Sequence, residues 1–280
     1  PRRGSVGGSA GSVGSVGSVG SVGGGDSPLC SPPMTPTDLS TNWRDCAERL
    51  SAALHLAVPP IFLAFSPEPV GELEPFDGVM SEPAADGRHG RVPASCVFWV
   101  KAAERSPFTT VAEDHGNCSV GQLTHGFATL EEVAGNDDVA ALLASGWVTA
   151  DKVAQIPSPS ARSGSIGYGR LAEVPTGIEP DVVLLRVNGR QMMVLSDAIP
   201  GLSIEGKPQC HIVALAKDRR QPAASVGCAL SRARTGMRPD EMTCALPAEH
   251  LPELVAAVES TAATDSVVAK YAAEDARRFS

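Results

Sequence analysis

Two segments of the chain carry the same uncommon turn. His115 to Gly126 reads HGNCSVGQLTHG and Gly227 to Gly236 reads GCALSRARTG. Each sets a cysteine on a glycine-flanked turn, with another glycine eight residues beyond it. Aligned on these cysteines, the halves match further. PPIFLAF at Pro59 to Phe65 corresponds to PDVVLLR at Pro180 to Arg186, each a proline-led apolar strand. Cys96 corresponds to Cys210, each opening an apolar helix, and Ala102, Glu104 and Arg105 correspond to Ala216, Asp218 and Arg219. Self-similarity of this kind constrains a fold before any local assignment does. The expectation is one domain with an internal duplication, about 59–126 and 180–236. Equivalent turns would then meet near a pseudo-two-fold axis, where Cys96, Cys118, Cys210 and Cys228 converge.

The pattern along the chain predicts the elements. Leu39, Trp43, Cys46, Leu50 and Leu54 recur at helical steps until Pro59 and Pro60 intervene. Ile61 to Phe65 reads as a short buried strand, and 66–92 as a long loop. Ala94 to Glu104 reads as a helix, Phe108 to Val111 as a strand and Asp137 to Ala144 as a helix. The stretch 156–164 reads as a linker dividing the chain near its middle. VVLLRV at Val182 to Val187 lacks alternation, as a strand covered on both faces should. Helices follow at Asn188–Ala198 and Cys210–Ala216, strands at Ala223–Val226 and Glu241–Leu246, and two helices at Ala248–Ser260 and Ser266–Phe279. Strands alternating with helices predict an α/β fold, or a mixed α+β one, of two strand–helix–strand halves.

The first 33 residues are of different material: Gly-Ser-Val triplets run from Gly11 to Gly23, and the segment is too poor in apolar surface to offset its ordering entropy. It is expected to be a disordered tail, with Met34 as the natural start and 34–280 as the globular domain. A net charge of −9 argues against nucleic acid as a partner, and no apolar run is long enough to span a bilayer. Seven cysteines without a secretory leader read as reduced thiols of a cytoplasmic protein.

The segments SCVFWVKAAE, HGNCSVGQLTHG, DVVLLRVNGRQMMVLSDA and ASVGCALSRARTG resemble the family called domain of unknown function 169, over roughly Asn42 to Val258. The resemblance covers Cys96, Cys118, Cys210 and Cys228 but not Cys30, Cys46 or Cys244. Gly189 stands where the family tends to have proline. Members have no assigned reaction, so the resemblance implies an architecture and a choice of four cysteines, and no activity.

Three chemistries remain open. Four soft thiolates suit an iron–sulfur cluster, or zinc as the alternative, although no pair has close Cys-x-x-Cys spacing. The same four residues also read as small buried hydrophobes. Cys118 or Cys228, at a helix start, could instead be a nucleophile, with His115 and His125 nearby in sequence, though surface or capping histidines fit the base rates better. Arg186, Asn188, Arg190 and Gln191 gather where a strong strand passes into a helix, which suits an anionic ligand, while Asn188 equally suits a cap. A small molecule or a redox partner is the expected associate. GSIGYG at Gly164 to Gly169 reads as a linker entering a strand, not a phosphate loop. Asp137 and Asp138 read as helix N-terminal carboxylates.

Overall fold

The computed structural model describes residues 41–71, 73–77 and 94–279. The Gly-Ser-Val tail, Cys30, Met34, Leu39 and most of the long 66–92 segment lie outside the described residues. In chain order the elements are α1 (Trp43–Leu54), β1 (Ile61–Ser66), α2 (Ser95–Glu104), β2 (Phe108–Val111), α3 (Ser119–Thr124), α4 (Leu130–Ala134), α5 (Asp137–Ala144), α6 (Ala150–Ala154), β3 (Ser165–Arg170), β4 (Val182–Asn188), α7 (Gly189–Ala198), β5 (Ser203–Glu205), α8 (His211–Arg219), β6 (Ala223–Ser225), α9 (Ala229–Thr235), β7 (Glu241–Pro247) and α10 (Leu251–Ala276).

Local chemistry explains their ends. Asn42 Oδ1 accepts the Asp45 N–H at 3.0 Å to start α1. Asn188 and Gln191 form a reciprocal capping box at α7, at 3.0 and 2.8 Å. Gly236, eight residues after Cys228, closes α9 in the left-handed region at φ 59°, and Gly126, eight after Cys118, lies just past α3 at φ 77°.

The mixed α/β class is as expected from the alternation of elements. The seven strands form one sheet in the order β2-β3-β1-β4-β7-β6-β5, antiparallel throughout except for the β5–β6 pair. β4 is indeed buried on both faces. Val183, Leu185 and Val187 point into a core with α1, α7 and α10, while Val182 and Leu184 point into a second core with α2, α3 and α8. The molecule is thus a sheet between two helical layers. Among the described residues no helix is long and apolar enough to cross a membrane.

The sheet order reads outward from its centre as β1, β3, β2 on one side and β4, β7, β6, β5 on the other, so the second side has one strand more. At the centre Phe62 pairs with Val183, Ile61 with Leu184 and Leu63 with Val182. In the alignment of PPIFLAF with PDVVLLR, Phe62 therefore faces its own counterpart, and Ile61 and Leu63 face each other's. The flanking ladders keep one register. Ile61 opposes Arg170 while Phe108 opposes Tyr168, and likewise Val182 opposes Pro247 while Ala223 opposes Ala245.

One expected break is absent. The two helices predicted at the C-terminus are a single helix, α10, of 26 residues. Thr261 to Asp265 contains no Gly or Pro to stop it. Thr264 and Ser266 turn their hydroxyls onto the Ser260 and Ala262 carbonyls, at 3.1 and 2.9 Å, and stay helical.

Candidate functional site: a cavity ringed by four cysteines

The four cysteines come from four different elements. Cys96 is the second residue of α2 and Cys210 immediately precedes α8. Cys118 and Cys228 are the N-caps of α3 and α9. α2 packs against α9 and α3 against α8. This crossing brings all four thiols to the wall of one cavity of about 40 Å³. Space of that size would admit about three waters, but the wall is mostly apolar, with Ala94, Val120, Leu142, Trp147 and Leu230 among its residues. Arg234 is its single charged residue.

Burial dominates the thiols. It pushes Cys96 up to about 12 and Cys210 well above the ordinary thiol value, and the neighbouring cysteines reinforce both shifts. Cys118 is also raised by burial, although the Gly121 amide and the Arg234 guanidinium favour its thiolate. The helix-start position therefore does not give Cys118 the stabilised thiolate that the sequence suggested, because desolvation outweighs the amide and the arginine. The two capping cysteines differ slightly. Cys228 Sγ accepts a formed hydrogen bond from the Ser231 N–H at 3.3 Å, whereas the Gly121 amide favours the Cys118 thiolate without completing such a bond.

Buried polar side chains hold this wall in place. His115 receives or gives hydrogen bonds at both ring nitrogens, to Ser95 Oγ at 2.7 Å and Thr110 Oγ1 at 2.8 Å, which ties the start of α2 to the turn before Cys118. Asp138 accepts from the Ser119 amide at 3.0 Å and its hydroxyl at 2.7 Å, fixing the residue after Cys118. Asp138 thus serves two helix N-termini, that of its own α5, where it also accepts the Val139 N–H at 2.9 Å, and that of α3. Gln209, beside Cys210, donates to Thr243 Oγ1, and its own Oε1 is buried without a partner. Gly121 lets α3 approach α2: a Cβ there would lie 2.7 Å from Ser95 Oγ. Gly227 takes φ 87°, which sets up the turn into Cys228.

A family model for domain of unknown function 169, described as an uncharacterised ArCR family, matches residues 49–257, about three quarters of the chain. The chain belongs to this family. No curated protein and no solved structure matches it. The family stretch includes all four cavity cysteines. Cys46 and Cys244, which the sequence set apart from the family pattern, lie in the core on the opposite face of the sheet. The six described cysteines are all free thiols.

Of the surface or capping roles expected for His115 and His125, the surface one fails because both are wholly buried, whereas His125 is the C-cap of α3. His125 Nδ1 donates to the Gly121 carbonyl at 2.9 Å and its Nε2 accepts the Trp99 indole N–H at 3.4 Å. Burial lowers His125 to about 4 and His115 well below the ordinary imidazole value. With every ring nitrogen engaged, neither is available as a base for Cys118.

The second predicted site is divided: Asn188, Arg190 and Gln191 line one pocket of about 330 Å³ with His55 and Asp265, and Arg186 is not among its residues. Arg186 lies on β4, bonded to the Thr235 carbonyl at 3.0 Å and 3.7 Å from Glu241. Arg190 lies on α7, which covers the other face of the sheet, and pairs with Asp265 at 2.7 Å. Asn188 is occupied as the α7 cap. Gly164 to Gly169 does enter a strand, β3.

Sequence reasoning passed over Arg234 and Trp147. Leu230, Ser231 and Arg234 recur at helical steps in α9, which would have placed Arg234 on the cysteine side. Trp147 sits in a loop and carried no such signal. Among the described residues, no three of His, Cys, Asp and Glu gather closely enough to hold one metal ion. The thiols surround a space rather than a point.

Proposed function

We propose that the four cysteines hold an iron–sulfur cluster of the four-iron type and that the protein transfers electrons. The observation that carries this reading is the ring of Cys96, Cys118, Cys210 and Cys228 around one cavity. A cubane is a body with four corners, so its thiolates stand farther apart than those of zinc. Arg234 would offset part of the thiolate charge, and the Ser231 and Gly121 amides would donate to sulfur. Thiols pushed up by burial give up their protons only to metal, which makes assembly pH-dependent. The sheet register supports the further reading that the two halves are copies related by a pseudo-two-fold axis, so that each copy contributes two ligands. Unpaired cysteines fit a reducing compartment such as the cytoplasm.

The test is anaerobic purification followed by iron and sulfide analysis and a visible spectrum. Brown protein with equal iron and sulfide, lost in Cys96→Ser and Cys210→Ser but retained in Cys46→Ser, supports the cluster. Zinc without colour replaces it with a structural ion. Folded, metal-free protein under reconstitution with iron and sulfide rules it out and leaves the thiols as core residues.

A further inference from the structure

A groove of about 670 Å³ adjoins the cysteine cavity and shares Trp147 and Pro208 with it as a common wall. Its volume falls in the range of small-molecule sites, roughly 300–1,000 Å³. Its walls come from the loop before α6, α6 itself, the turn after β5 and α8. Three cations line it, Lys152, Lys207 and Arg219, against one carboxylate, Glu205. In a chain of net charge −9 this is a local reversal of sign, which concentrates anions at the groove. Two of these charges have no acidic partner among the described residues, those of Lys152 and Arg219. Lys207 donates to the Trp147 carbonyl and holds its ammonium 4.1 Å from the centre of that indole, so the groove wall is ordered from both sides. His211 Nε2 is buried without a hydrogen bond, 3.7 Å from Glu205. Burial lowers the imidazole from its ordinary value and Glu205 raises it, so it adds no cation near neutral pH.

We infer that this groove is a binding site for a small organic anion carrying carboxylate or phosphate groups. Lys152 and Arg219 grip its charge, His211 supplies a neutral polar contact, and the Trp147 side forms the apolar wall that separates the ligand from the four thiols. The site does not depend on whether the thiols hold a cluster.

Calorimetric titration of the full chain with citrate and, separately, pyrophosphate tests it. Saturable binding of at least one is expected. Lys152→Ala and Arg219→Ala should each weaken it about tenfold, as the loss of one charge-assisted contact does. Arg278→Ala removes the same charge from an exposed position just past the C-terminal end of α10 and should leave affinity unchanged. Tighter citrate assigns a polycarboxylate, and tighter pyrophosphate a phosphate ester. Failure of both anions to saturate, or equal weakening by Arg278→Ala, overturns the site.

Discussion

The two faces of the sheet are built for different purposes. On one face α1, α7 and α10 bury only apolar side chains and Cys46. On the other, the short helices α2, α3 and α9 bury Ser95, Ser119, Thr124, Ser231 and Thr235, with His115, His125 and Gln209 in the turns between them. Buried polar groups contribute little net stability and much uniqueness of geometry. Both faces carry an apolar core that holds the fold together, and the second also holds four thiols in place.

The sharpest way to break this contrast is truncation on each face. Leu195→Ala removes a fully buried side chain from α7 and should lower unfolding free energy by about 2–5 kcal/mol, measured by urea denaturation. Cys210→Ala on the other face should leave the metal-free protein within about 1 kcal/mol of the parent, since only a small thiol is lost, while abolishing cluster uptake. Equal losses would mean that both faces are ordinary core.

Acid should act on the cysteine face first. His125 is neutral when folded, with its value lowered from 6.5 to about 4. The unfolded chain therefore binds a proton that the folded chain refuses between these values. Stability from this group is fully present above about 6.5 and is lost as pH falls toward 4, by about 3 kcal/mol over the whole window. Denaturation curves across that range should flatten in His125→Gln. An unchanged slope would remove His125 as the cause.

The smallest effect belongs to the surface of the apolar face. Arg49 bridges α1 to Glu259 of α10 with two hydrogen bonds, at 2.9 and 2.6 Å, but both side chains are 37% exposed. Arg49→Ala should lower stability by less than about 1 kcal/mol. A larger loss would show that the helix pair depends on the bridge rather than on Leu50, Leu54 and Val255 beneath it.

Much of the apolar scaffold was legible because burial writes itself as pattern. β4 announced itself as a run without alternation, and α5 by helical spacing between Asp137 and a glycine. The choice of Cys96, Cys118, Cys210 and Cys228 also came from sequence, through the paired turns. The sheet order did not, since strand neighbours depend on contacts across the whole chain. Arg186 and Arg190 looked like one site because they are four residues apart. The strand-to-helix turn sends α7 back over the opposite face, a reversal no local spacing encodes. The burial of His115 and His125 was hidden for a similar reason: their partners Ser95, Thr110 and Trp99 lie on other elements. Short elements such as α4, α6 and β5 carry too few residues to show a period.

The most direct test is a crystal structure of anaerobically purified protein with anomalous diffraction collected at the iron edge. The account predicts one strong iron peak inside the cavity walled by Cys96, Cys118, Cys210 and Cys228, with density continuous to all four sulfur atoms. An empty cavity in protein reconstituted with iron and sulfide, or iron bound elsewhere on the chain, would contradict it.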